Sequence, residues 1–410
     1  MFGVDSIPLR SGQKIEFKDG TIDCPVKGNE TVGLSLMWQS KVFGNILLPT
    51  TRLLERERPY ILNVELARAK LMHIILKREE WSLCDENDKI ADLAKKAQSF
   101  FIEALKNINT PAKASVLADM SLQKSLIFSE RLAAKYSERN LATRIRNKSL
   151  ARHSLGCRIN PELMVSEEYR KRLLEMFCFV TIPVSWAQIE KEKGDYDFSQ
   201  VDKVLGFFKG RRFAICAGPL LSFDEQNLPK WILQEKFNFE KIREAAYAFV
   251  LKIVERYFGK IHAWNLISGI NAQNHFNFNI EQTIEITRSA CLAAKTADPR
   301  NKSRKIVEII YPWGEYYADG GETIPPFTYA DMVIQNGIPF DSLGINIKFG
   351  LDRDGCRVRD MMQISSRLDN FACLSKPINI TSISVPGAKA DDFGGTWHKP
   401  WSPAIQAEWI

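Results

Sequence analysis

No run of about 18 apolar residues occurs in this chain, so no membrane-spanning helix is expected. The opening residues, Met1-Phe2-Gly3-Val4-Asp5-Ser6-Ile7-Pro8, have neither the basic segment nor the apolar core of a secretory leader. Cys-x-x-Cys is missing, and none of the eight cysteines has a histidine at metal-ligand spacing. They read as reduced thiols rather than a metal site or a disulfide framework. Together these absences favour the cytoplasm. Gly-x-Gly-x-x-Gly and Gly-x-x-x-x-Gly-Lys-Ser/Thr are absent too, which argues against nucleotide-binding doubly wound folds. There is no nucleophile elbow and no aromatic–basic platform of the kind that grips nucleic acid. No cofactor, metal, nucleic-acid partner or membrane partner is therefore expected, and the oligomeric state is left open.

What is present is an ordinary globular composition: 410 residues, 45% apolar and 26% charged, with a net charge of +7. That length suits two or three domains, or one barrel with an extra module. The basic stretch Arg139, Arg144, Arg146, Lys148 and Arg152 reads as a solvated helix end or linker.

Three regions follow in order. Residues 1–58 look β-rich: Lys18-Asp19-Gly20 marks a turn, and strands are expected at 31–38 and 45–49 around Phe43-Gly44. A small layer of this kind is similar in architecture to a carbohydrate-binding module. Residues 59–148 look helical. Pro59 suits a first turn, and Leu62, Leu66, Ala69, His73 and Leu76 mark one apolar face. His73 on that face reads as a core or boundary histidine. Asp88 is a plausible N-cap for a second helix, Asn109-Thr110-Pro111 ends it, and a third runs from about 114 towards 141. Residues 149–410 alternate short apolar strands with amphipathic helices, the pattern of a parallel α/β sheet or barrel. Seven strands are countable, at 155–159, 178–182, 213–218, 261–267, 305–310, 342–347 and 377–385. A closed (β/α)8 barrel needs eight, so a C-terminally truncated barrel with open sheet edges is expected.

The stretch Tyr257-Phe258-Gly259, then Trp264-Asn265-Leu266-Ile267-Ser268-Gly269, resembles the fourth strand of the glycoside hydrolase family 10 barrel. That family's frame there is Tyr-x-Gly and Trp-Asp-Val-Val-Asn-Glu. Trp186 with Ile189-Glu190 is similar to its second-strand segment. Leu228-Pro229-x-Trp231 is similar to its third, and Asp341-Ser342-Leu343-Gly344-Ile345-Asn346-Ile347-Lys348 to its sixth. Lys376-Pro377-Ile378-Asn379-Ile380-Thr381-Ser382 resembles its seventh. The resemblance implies a TIM barrel and an endo-1,4-β-xylanase type of O-glycosyl hydrolase. It also implies that the general acid/base stands at Gly269 and the nucleophile at Ser382. Pro219 replaces a substrate-contacting His, with Asp224 or Glu225 near a second such position. Retaining hydrolysis needs two carboxyls about 5–5.5 Å apart, and this frame offers neither.

Three functions stay open. One is a barrel that binds a β-linked, xylan-type oligo- or polysaccharide without retaining endo-xylanase activity, using Trp186, Asn274, Trp313, Tyr316, Asn346 and Lys348. The second is an active glycosyl hydrolase with a relocated pair, Glu315 with His275, Asp224 or Glu225. The third is a non-catalytic scaffold working through its helical region.

Overall fold

The computed structural model describes every residue except 4–14, 27–30, 42, 83–88, 151–153, 235–237, 315–322, 353–354 and 391. Asp88, Arg152, Glu315 and Tyr316 thus lie outside the described residues.

The chain begins with two hairpins, β1 (Glu16–Lys18) with β2 (Thr21–Asp23) and β3 (Ser35–Ser40) with β4 (Gly44–Pro49). Asp19 and Gly20 take positive φ between β1 and β2, the backbone that a two-residue hairpin turn demands. β4 is fastened to the later part of the chain. Leu47 N–H donates to Val358 O, Thr396 N–H to Asn45 O, and His398 N–H to Phe43 O.

Three helices come next: α1 (Leu62–Glu80), α2 (Lys89–Lys106) and α3 (Pro111–Arg146). α3 is longer than its sequence pattern suggests. Pro111 stands in its first turn, where the missing N–H costs nothing, so it begins the helix as well as ending the previous segment. The buried side of α1 is also turned from the expected stripe. Val64, Leu66, Ala67, Lys70, Leu71, Ile74 and Lys77 are buried, while Leu76 is 61% exposed. Two lysines face inward because carboxylates on a barrel helix meet them: Lys70 Nζ lies 2.8 Å from Asp360 and Lys77 Nζ 2.6 Å from Asp369. His73 is half-buried between them and bonds Ser366 Oγ at 2.7 Å. Burial, then the nearby Lys70 charge, pulls its pKa down to about 4.

The remaining chain forms one parallel sheet wrapped by helices. Its strands are β5 (Gly156–Arg158), β6 (Phe179–Ile182), β7 (Ala214–Ala217), β8 (Leu221–Ser222), β9 (Ala263–Ser268), β10 (Arg304–Ile310), β11 (Ser342–Lys348) and β12 (Ile378–Ser384). The helices between them are α4 (Glu167–Met176), α5 (Trp186–Ile189), α6 (Ser199–Phe208), α7 (Lys230–Gln234), α8 (Phe239–Arg256), α9 (Ile280–Ala297), α10 (Pro326–Gln335), α11 (Met361–Ala372) and α12 (Pro403–Trp409). The order is β5-β6-β7-β9-β10-β11-β12, with β8 also paired to β9. β7 and β8 are two lengths of the third barrel strand. The strand breaks at Gly218, whose backbone runs against Asn265: a Cβ there would lie 2.4 Å from Asn265 O. This is a (β/α)8-type barrel with β5 and β12 at the two ends of its path. β9 is buried at every residue, as suits a strand covered on both faces. Asn279 and Gln282 form a reciprocal capping box at the start of α9. One continuous apolar cluster joins β4, α1 and α3 to the barrel interior.

Candidate functional site

All barrel strands are parallel, so their C-terminal ends share one face, the face where barrels of this kind carry their sites. A cavity of about 430 Å³ opens there. Arg158 enters it from β5, Trp186 and Gln188 from α5, Ser222 and Asp224 from β8 and its exit, and Ser268 from β9. Glu308, Ile310 and Tyr311 enter from β10 and its end, Asn346 and Lys348 from β11.

Strand register sets the floor. Ser222 pairs with Ser268, Ser268 with Glu308, and Glu308 with Gly344. Residues in register on parallel strands point to the same face, so these make a single row across β8, β9, β10 and β11. Along β10 the same face carries Ile306, Glu308 and Ile310, two residues apart. Ser268 Oγ donates to Glu308 Oε2. Asp224 is held at the rim, where Oδ2 accepts from Ser222 Oγ at 2.7 Å and Asn227 Nδ2 bonds both carboxylate oxygens at 2.8–2.9 Å. Gln273 donates to the Tyr311 hydroxyl at 3.3 Å, and Tyr311 itself has a φ of 50°. A bulky residue in that region is strained backbone of the kind that collects at functional sites.

Asp224, Glu308, Arg158 and Lys348 are the charged groups in this cavity. Among the described residues, none of the four takes part in an ion pair.

Of the residues singled out from the sequence, Trp186, Asp224, Asn346 and Lys348 meet in the cavity. Trp186 does so with little open surface. It is 1% exposed, donates its indole N–H to Glu190 at 2.7 Å and stacks on Phe249 with centroids 5.3 Å apart. The others sit elsewhere. Glu225 and His275 are exposed and line no part of the cavity, and Asn274 donates to Phe278 O at 3.1 Å beside β8. Trp313 is buried against Phe349 with Arg359 over its ring. Gly269 follows Ser268 at φ 65°, and Ser382 pairs in register with Asn346. Sequence reasoning passed over Glu308, Ser268, Arg158, Gln273 and Tyr311. Glu308 had a signal: a lone acid inside the apolar run Lys305-Ile306-Val307-Glu308-Ile309-Ile310.

Comparison with known proteins gives a consistent result. The family model for glycosyl hydrolase family 10 matches residues 145–398. A curated relative, endo-1,4-beta-xylanase 3 of Hypocrea jecorina, is 26% identical over 165 residues, which are 39% of this chain and 45% of that protein. The chain thus spans less than half the length of that relative. Among solved structures, native xylanase 10B from Thermotoga maritima is 18% identical, with 59% of this chain and 73% of that one covered and a TM-score of 0.46. The GH10 protein from Paenibacillus barcinonensis is 15% identical, with 57% and 70% covered and a TM-score of 0.47.

Proposed function

The chain belongs to glycosyl hydrolase family 10, and from that premise we propose that its barrel binds a β-linked oligo- or polysaccharide of the xylan type without the double displacement of a retaining endo-xylanase. The observation that carries this reading is Gly269. In the family frame it takes the position of the acid/base glutamate, and it has no side chain to donate or accept a proton. Its φ of 65° is a backbone that L side chains rarely adopt. Among the described residues, Ser382, at the position the resemblance gives the nucleophile, hydrogen-bonds no His, Asp or Glu that would activate its hydroxyl. The cavity keeps amides, hydroxyls and the half-buried Tyr311 ring at the strand ends, chemistry suited to sugar hydroxyls and ring faces.

Titration calorimetry of the full chain with xylohexaose tests the reading. Saturable heat at micromolar to millimolar ligand is expected, together with no burst of covalent intermediate. No binding of xylohexaose or of any other β-linked hexasaccharide at millimolar concentration would sink it.

A further inference from the structure

Glu308 is 3% exposed at the floor of the cavity. Taking a carboxylate out of water is costly unless a cation or several donors replace the water. The other described carboxylates at 6% exposure or less meet that condition. Glu65 lies 3.0 Å from Arg68 Nε, Asp298 3.1 Å from Lys305 Nζ and Asp360 2.8 Å from Lys70 Nζ. Glu190 accepts the Trp186 indole N–H at 2.7 Å on one oxygen and the Gly194 N–H at 2.8 Å on the other. Glu308 differs. Ser268 Oγ donates to its Oε2, and among the described residues nothing donates to Oε1. Gly344 stands opposite it in β11, so no side chain from that position covers the carboxylate. The cavity's own cations are placed elsewhere. Lys348 is exposed four residues past Gly344, roughly 13 Å further along the strand. Arg158 is exposed on β5, at one end of the sheet path.

We propose that Glu308 is the seat of a protonated amine, and that the cavity takes a β-linked glycan built of amino sugars. The inference goes beyond a xylan-type ligand and rests on the earlier reading in one respect, that the cavity holds a β-linked glycan. An ammonium meets both needs of the carboxylate at once. It supplies the missing charge, and it donates up to three hydrogen bonds, one of which Oε1 accepts. A sugar hydroxyl would supply a hydrogen bond alone, as Ser268 already does, and leave the charge uncompensated. A bare metal ion would lack ligands, because no group of three or more His, Cys, Asp or Glu among the described residues could hold one. Asp224 adds a second negative charge to the same cavity. Ser222 and Asn227 already hold its oxygens, so it acts through its field and Glu308 makes the contact. The chain as a whole carries +7, so it repels a polycationic glycan, and a preference for one must come from a local group.

Titration calorimetry of the full chain, at mildly acid pH where the amines are protonated, compares three ligands. They are the β-linked hexasaccharide of glucosamine, cellohexaose, which has a hydroxyl where glucosamine has the amine, and xylohexaose. The glucosamine chain should bind at least about 10-fold more tightly than cellohexaose, as one charge-assisted hydrogen bond requires. Glu308→Gln keeps the shape and an acceptor for Ser268. It should abolish that preference while cellohexaose affinity stays within about 3-fold. Glu225→Gln, exposed and outside the cavity, should leave the preference intact. If Glu308→Gln fails to fold, the wild type decides. A carboxylate against the amine raises the amine's own pKa, so calorimetry in two buffers of different ionisation enthalpy should show protons taken up on binding. Glucosamine binding no tighter than cellohexaose, a preference that survives in folded Glu308→Gln, or binding without proton uptake overturns the amine seat. Saturable binding of cellohexaose or xylohexaose in those cases leaves the carbohydrate reading standing. Binding of none of the three overturns the carbohydrate reading and the amine seat with it.

Discussion

Gly269 and Ile310 are packed so closely that a Cβ on Gly269 would lie 2.4 Å from Ile310 Cδ1. The strand end has closed over the place where a longer side chain would leave the backbone. Restoring the family's glutamates should therefore fail. Gly269→Glu must strain a backbone at φ 65° and displace Ile310, at a cost of about 1–3 kcal/mol. The double variant Gly269→Glu/Ser382→Glu is expected to unfold at lower urea than the wild type and to release no xylose oligomers by retention. Retaining activity in that variant would show that the frame still works.

The helical layer is held to the barrel by a buried ion pair. Asp360 Oδ1 accepts from Lys70 Nζ at 2.8 Å and from two backbone N–H groups at the start of α11, Met362 and Gln363. Asp360→Ala strands the lysine and uncaps α11, so a loss of about 3–5 kcal/mol is expected. Urea unfolding measures it. Lys70→Met combined with Asp360→Asn should recover part of that loss, because no charge is then left buried alone.

Glu130 on α3 is buried beside Asp360, and burial followed by that charge raises its carboxyl to about 7. It accepts the Met361 N–H at 2.8 Å. The folded state therefore holds its proton more tightly than the unfolded chain. Its contribution is most favourable below the ordinary carboxyl value of 4.5 and is lost as pH rises towards about 7. His73 acts in the opposite sense, with stability lost as pH falls from 6.5 towards about 4. Glu130→Gln keeps the acceptor and removes the charge. It should raise the thermal midpoint more at pH 8 than at pH 5, and equal shifts at both would show that the site does not titrate.

β12 leaves apolar side chains in the open at the end of the sheet path: Ile380 is 42% exposed and Ile383 47%. Unpaired edges of this kind recruit other strands. Ile383→Lys should reduce light scattering on concentration while moving the thermal midpoint by little. Unchanged scattering would place the sticky surface elsewhere.

The sequence by itself determined a parallel sheet wrapped by helices, and the family resemblance implied that it curls into a barrel. Apolar runs such as residues 261–267 and 342–347 can be satisfied only by strands covered on both faces, and the helical stripes between them fix the alternation. The resemblance, read in a local frame, implies that Gly269 and Ser382 stand where the family has its two glutamates. Only the tertiary structure decided what fills the cavity. Glu308 reads as one polar residue in an apolar run until three strands come into register and set it beside Ser268 at the floor of the cavity. The face of α1 was decided in the same way. Its buried lysines are paid for by Asp360 and Asp369, some 290 residues away in the chain, and helical periodicity has no access to such partners. Local pattern sets secondary structure through short-range sterics and burial, while side-chain chemistry at a site depends on neighbours that only folding supplies.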